Sequence, residues 1–216
     1  MKKTIVFVGD SITDCGCHNP VNRTRTGMGT GYAMMAMAKL DYEEPEKYRI
    51  YNRGVSGDRI VDIYARIKKD ILNLKPDYIS IFVGINDVWH ELLEQNGVSV
   101  EKYERIYKML VEEILQELPD VKMAIFEPYV LPGSSTKNTE EQPQRWEIFS
   151  SEVAERAKAA RRVAEAFNLP FVPIQEKFSA LNDAHPGYWT TDGVHPTRAG
   201  HEFLKRQWLS WFETVK

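Results

Sequence analysis

Ile5-Val6-Phe7-Val8-Gly9-Asp10-Ser11-Ile12-Thr13-Asp14 is the stretch that decides how this chain is read. Four consecutive apolar residues, mostly β-branched, are too continuous for an amphipathic helix and suit a strand buried on both faces. The run breaks at Gly9, which presents Ser11 at the strand's carboxyl end. A serine hydroxyl is a poor nucleophile unless a base takes its proton and donors receive the charge that develops on the attacked carbonyl oxygen. The rest of the chain has to supply both.

Outward from this strand, apolar and helix-favouring runs alternate. Residues 19–31 read as a Gly-, Asn- and Thr-rich loop, 32–40 as a helix whose methionines pack the core, and 48–52 as a second strand. Asp58 can cap a helix over 59–74, with Ile60, Ile63, Ile67 and Ile71 on one face. Strands at 78–83, 121–126 and 169–174 alternate with helices at 101–118, 146–167 and 197–212. Residues 133–144 are polar and too long for an ordinary connection, so a lid or a solvated excursion is expected. Five such alternations indicate an α/β fold with a five-stranded parallel sheet covered by helices on both faces. With 216 residues, 43% of them hydrophobic, one domain over 1–216 is expected.

The formal charge of −3, from 28 basic and 31 acidic residues, gives no positive stripe for a phosphate backbone, so nucleic acid is not an expected partner. No apolar run reaches bilayer length, and Met1-Lys2-Lys3 enters the first strand without a small-residue cleavage site, so a cytoplasmic protein is expected. Cys15 and Cys17 are too few and too close for a disulfide framework or a zinc site, and read as small buried side chains.

In parallel sheets reactive groups gather at the carboxyl ends of the strands. Three unusual loops fall there: Gly9-Asp10-Ser11, Arg53-Gly54 and Asn86-Asp87. The base must be one of five histidines, His18, His90, His185, His195 and His201. His195 stands three residues after Asp192, and on one turn of chain that carboxylate can hold the imidazole Nδ1–H and leave Nε2 to take the serine proton. Asp10, Asp14 and Asp87 raise the alternative of a metal site. Metallophosphoesterases carry a comparable Gly-Asp loop and an Asn-His loop, but this chain has no Asp-x-His upstream and no His directly after Asn86. No metal and no cofactor are expected; Asp10 and Asp87 are expected to bond loop backbone.

Gly9-Asp10-Ser11-Ile12, Asn52-Arg53-Gly54-Val55-Ser56-Gly57, Gly84-Ile85-Asn86-Asp87 and Asp192-Gly193-Val194-His195-Pro196 resemble, in order and spacing, the four blocks of the SGNH (GDSL-type) esterase family. The resemblance implies a flavodoxin-like three-layer α/β/α sandwich, with Ser11 as nucleophile, His195 as base and Asp192 as its partner. It also implies an oxyanion hole of Ser11 N–H, Gly54 N–H and the Asn86 side-chain amide. The residue types suit these roles: Gly54 has no Cβ to keep a substrate oxygen away, and Asn86 donates without a titrating charge. Losing one such donor typically costs ~2.7–4 kcal/mol of transition-state stabilisation.

Asp14-Cys15-Gly16, Gly29-Thr30-Gly31-Tyr32, Val88-Trp89 after the third block, and Ala199-Gly200-His201 look like the intracellular acetyl-xylan esterase branch. A Trp commonly precedes the triad Asp in that branch, whereas Thr190 and Thr191 separate Trp189 from Asp192 here. Sugars stack their C–H faces on aromatic rings, and Tyr32, Trp89, Tyr129 and Trp189 lie in or beside the candidate loops, so they are expected to line the substrate rim. The expected substrate is a small ester, an acetylated sugar such as a xylo-oligosaccharide. The alternatives are a thioesterase or lysophospholipase-like esterase, and a sugar-binding protein without turnover. The branch resemblance also implies a homo-oligomer.

Overall fold

The computed structural model describes residues 2–17 and 27–216. His18 and most of the expected 19–31 loop lie outside the described residues. Strands β1 (Lys3–Gly9), β2 (Tyr48–Gly54), β3 (Tyr78–Phe82), β4 (Lys122–Phe126) and β5 (Phe171–Val172) form one sheet in the order β2-β1-β3-β4-β5, and every neighbouring pair is parallel. The helices are α1 (Ser11–Asp14), α2 (Tyr32–Glu43), α3 (Ile60–Ala65), α4 (Ile67–Asp70), α5 (Ile85–Glu94), α6 (Val100–Glu117), α7 (Arg145–Ala166), α8 (Gln175–Ala184) and α9 (Arg198–Phe212).

Alternation along β1 explains its unbroken apolar run. Ile5 and Phe7 enter the core shared with α2, α8 and α9, while Val6 and Val8 enter the one shared with α3, α4 and α6. All four are 0% exposed, and burying each stabilises the fold by about 1.5–3 kcal/mol. On the first side Phe7 stacks on Trp208 with ring centroids 4.7 Å apart, and the Trp208 indole N–H donates to Ser80 Oγ at 3.0 Å, so the buried indole is not left unpaired.

Three segments differ from expectation. The 59–74 helix is broken into α3, α4 and a 3-10 turn at Leu72–Leu74, because Arg66 leaves helical backbone geometry at φ −109°, ψ 9°. Its guanidinium is drawn to Asp58 at 2.6 Å and Asp70 at 3.0 Å. The four isoleucines stay in the core regardless. β5 has two residues only, since Pro170 and Pro173 flank it and supply no N–H to the ladder. α5 and α8 are helices beyond those expected. No helix among the described residues is long and apolar enough to cross a membrane.

The chain passes from β1 out to β2 and back across to β3, so strand order reverses beside β1. The crevice outside the carboxyl ends of β1 and β3 is where such sheets bind ligands. Ser11 follows β1 and Asn86 follows β3.

Candidate active site

Ser11 is the first residue of α1, and the turn before it is tightly held. Asp10 caps α1 by accepting the Ile12 N–H at 2.9 Å, and its carbonyl accepts from Thr13 and Asp14. Asn52 on β2 clamps the same turn by donating from Nδ2 to the Thr13 carbonyl at 2.7 Å and the Met28 carbonyl at 3.0 Å. That buried amide carries no catalytic signal in the sequence beyond its place before Arg53-Gly54.

His195 lies 184 positions away in the chain, yet its Nε2 is 2.9 Å from Ser11 Oγ. Asp192 Oδ2 is 2.8 Å from His195 Nδ1, and Asp192 Oδ1 accepts the backbone N–H groups of Val194 at 2.9 Å and His195 at 2.8 Å. Burial alone would raise the Asp192 pKa, but the bonds from the His195 ring and from these two amides outweigh it and hold the carboxyl at about 2. An ionised carboxylate can only accept, so Nδ1 carries the proton and Nε2 is left to accept from Ser11 Oγ–H. The bond that His195 donates to Asp192 raises the His195 pKa above 6.5 against the opposing effect of burial.

The loop bearing this pair is braced from behind. Residues 133–144, expected as a lid or a solvated excursion, begin as a strap on it: Ser135 N–H donates to the Asp192 carbonyl at 2.9 Å, and just before the segment Leu131 N–H donates to the Gly193 carbonyl at 2.8 Å. Tyr129 is 0% exposed and donates its hydroxyl to the Val194 carbonyl at 2.5 Å. Tyr32 is 1% exposed, with its hydroxyl 3.0 Å from Thr13 Oγ1. The expectation that these two tyrosines line the rim is therefore corrected: both rings lie in the core and offer no face to a sugar. Trp189 is corrected too. Its indole N–H is tied to the Leu181 carbonyl on α8 at 2.8 Å, and the ring lines a separate depression with Tyr188 and Phe203. Of the four aromatics only Trp89 reaches the site, its ring centroid 5.8 Å from that of His195.

Ser11, Ser56, Gly57 and His195 line a cavity of about 310 Å³ whose remaining wall is α5, through Asn86, Trp89, His90, Leu93 and Glu94. A larger cavity of about 550 Å³, against Glu91, Lys102 and Arg156, lies on the other side of α5, and its one serine, Ser99, has no histidine beside it in the lining. Gly54 is not at the cavity. Its N–H already donates to Asn52 Oδ1 at 2.9 Å, and a Cβ there would come 2.3 Å from the Asp14 amide nitrogen, so glycine serves close packing of β2 on α1. Gly57, three residues on, is the glycine that faces the site, at φ +89°, a backbone that disfavours any side chain. The backbone N–H groups of Ser11 and Gly57 donate to no group among the described residues. Asn86, in the first turn of α5 rather than on a loop, uses one amide hydrogen on the Asp58 carbonyl at 3.1 Å and keeps the other.

The strand-end carboxylates are occupied with structure. Asp87 accepts the Ile60 N–H at 3.2 Å, and Asp14 accepts from Ser56 Oγ at 2.6 Å and Cys17 Sγ at 2.9 Å. Burial pushes Asp10 and Asp87 up to about 7. Among the described residues no group of three or more His, Cys, Asp or Glu is placed to hold a metal ion.

Among known proteins, residues 7–203 match the GDSL-like Lipase/Acylhydrolase family. The chain belongs to that family. An acetylxylan esterase of Geobacillus stearothermophilus is 33% identical to this acylhydrolase over 213 residues, covering 95% of this chain and 91% of its own. The crystal structure of Axe2, an acetylxylan esterase from the same organism, superposes with a TM-score of 0.78 at 30% identity, over 97% of this chain and 93% of that one. LAE5, an alpha/beta hydrolase enzyme from the metagenome of Lake Arreo, Spain, superposes with a TM-score of 0.82 at 30% identity, over 99% and 96% of the two chains. The acylhydrolase is thus a carboxylic ester hydrolase.

Proposed function

We propose that this esterase removes acetyl groups from carbohydrates, xylo-oligosaccharides among them, through a Ser11-His195-Asp192 triad. The observation that carries the reading is the unbroken hydrogen-bonded chain from Ser11 Oγ through the His195 ring to Asp192, at the edge of a small open cavity. The acetylxylan esterase relative supports the choice of acyl group and alcohol.

Ser11 Oγ attacks the acetyl carbonyl carbon while its proton passes to His195 Nε2, and the carbonyl electrons move onto oxygen. That oxyanion takes hydrogen bonds from the Ser11 and Gly57 backbone N–H groups and from the free Asn86 amide hydrogen. Asp192 steadies the imidazolium without taking its proton. Collapse breaks the bond to the sugar oxygen, which leaves with the proton from His195. Water then repeats the sequence on the acetyl-enzyme, releasing acetate. No cofactor enters any step. The reading places the protein as a homo-oligomer in the cytoplasm, where Cys15 and Cys17 remain free thiols as they are here.

Hydrolysis of 4-nitrophenyl esters of increasing acyl length, with Ser11→Ala as background, tests the acyl preference. Acetate is expected to be turned over best, with kcat/KM falling as the chain lengthens. A rise toward longer chains favours the thioesterase or lysophospholipase-like reading, and turnover that does not depend on Ser11 removes the triad.

A further inference from the structure

We infer that the alcohol half of the ester is a polyhydroxylated group recognised by His90 and Glu94, two side chains of α5 that the chemistry leaves unused. The inference deepens the carbohydrate-ester reading and rests on it. Asn86, Trp89, His90, Leu93 and Glu94 fall at i, i+3, i+4, i+7 and i+8, so one stripe of a single helix forms the cavity wall. The stripe runs outward from the reacting groups: Asn86 at its start is 6% exposed, while Leu93 near its end is 61% exposed. At 1.5 Å per residue it spans about 12 Å, far more than an acetyl group fills.

The other polar side chains on this cavity are committed, apart from the Trp89 indole N–H, which is buried without a partner. Ser11 and His195 bond each other, Ser56 Oγ donates to Asp14 at 2.6 Å, and Asn86 is shared between the Asp58 carbonyl and the oxyanion. The His90 ring nitrogens and the Glu94 carboxylate, by contrast, make no hydrogen bond or ion pair among the described residues. His90 stands beside the proposed oxyanion donors. Its Nε2 lies 3.9 Å from where a Cβ on Gly57 would point, an ordinary contact distance, so the ring edge stands against that turn.

A neutral imidazole offers one donor and one acceptor, and a carboxylate offers only acceptors. Neighbouring hydroxyls, each able to give and take a hydrogen bond, match that set. An alkyl chain would cover both side chains and leave them unpaired, at a cost in binding. A phosphate-bearing alcohol or thiol would meet the Glu94 carboxylate with like charge. The stripe thus selects a sugar over the leaving groups of lysophospholipids or nucleotide-linked thioesters.

The test is the ratio of kcat/KM for a monoacetylated methyl β-xyloside to that for 4-nitrophenyl acetate, a comparison that cancels any loss of folded enzyme. His90→Ala and Glu94→Ala are each expected to lower the ratio about three- to tenfold, the worth of one hydrogen bond, and the double variant by roughly the product. His90→Gln, which keeps a donor and an acceptor, should restore much of it. A ratio within twofold of wild type in the double variant overturns the inference while leaving the esterase reading intact. A wild-type enzyme that cleaves 4-nitrophenyl acetate and ignores the xyloside overturns the carbohydrate reading and this inference together.

Discussion

Ser11→Ala is expected to lower kcat for acetyl esters about 10⁶-fold, because the substitution removes the bond-forming atom itself and leaves His195 with nothing to deprotonate. The fold should be unaffected. Ser11 Oγ makes one hydrogen bond, to His195, and the α1 turn is held instead by the Asp10 cap and the Asn52 clamp, both of which remain. Thermal unfolding and 4-nitrophenyl acetate hydrolysis measured on one preparation check this. An unchanged melting temperature with turnover at background is the expected pair of results. Activity within a hundredfold of wild type would show that another group attacks the carbonyl.

Asp192→Asn is expected to cost about 10⁴-fold in kcat with the fold intact. The Asn oxygen can still accept the Val194 and His195 amides, so the loop keeps its turn. Its NH₂ then faces His195 Nδ1, which must become the acceptor, and the proton moves to Nε2. That tautomer donates to Ser11 Oγ where it should accept. The pH profile supplies a second readout. In the wild type the Asp192 bond raises the His195 pKa, and only the neutral ring is a base, so the acid limb of kcat/KM should have its midpoint above pH 6.5. In the Asn variant the raising bond is gone and burial, which lowers the value, remains; the midpoint should move to lower pH. An acid limb that stays in place would mean that a different group titrates.

The parts of this molecule legible in the sequence are those set by local pattern. Ile5 to Val8 announce a strand buried on both faces because both faces are in fact covered, and Asp192 finds His195 because three residues suffice for one turn. What pattern could not separate were features decided by the third dimension. Gly54 and Gly57 share one motif, and only the backbone shows that Gly54 packs against α1 while Gly57 turns with positive φ toward the cavity. Tyr32 and Tyr129 carry both an apolar ring and a polar tip, so they fit a rim or a core equally well in a string of letters; the Thr13 and Val194 partners that draw them inward come from distant segments. α5 was hidden because Gly84-Ile85-Asn86-Asp87 reads as a strand-end loop, although Ile85, Val88 and Leu92 already carry helical spacing. His90 and Glu94 were lost with it.

The most direct test of the proposed chemistry is covalent labelling with a fluorophosphonate, whose phosphorus takes the place of the acyl carbon and releases fluoride when an activated serine attacks. Peptide mass mapping after partial inactivation is expected to find the phosphonyl group on Ser11, in proportion to lost acetylesterase activity, and no label in the His195→Ala variant. Inactivation with the adduct on another residue, or full activity in enzyme labelled at Ser11, would contradict the account.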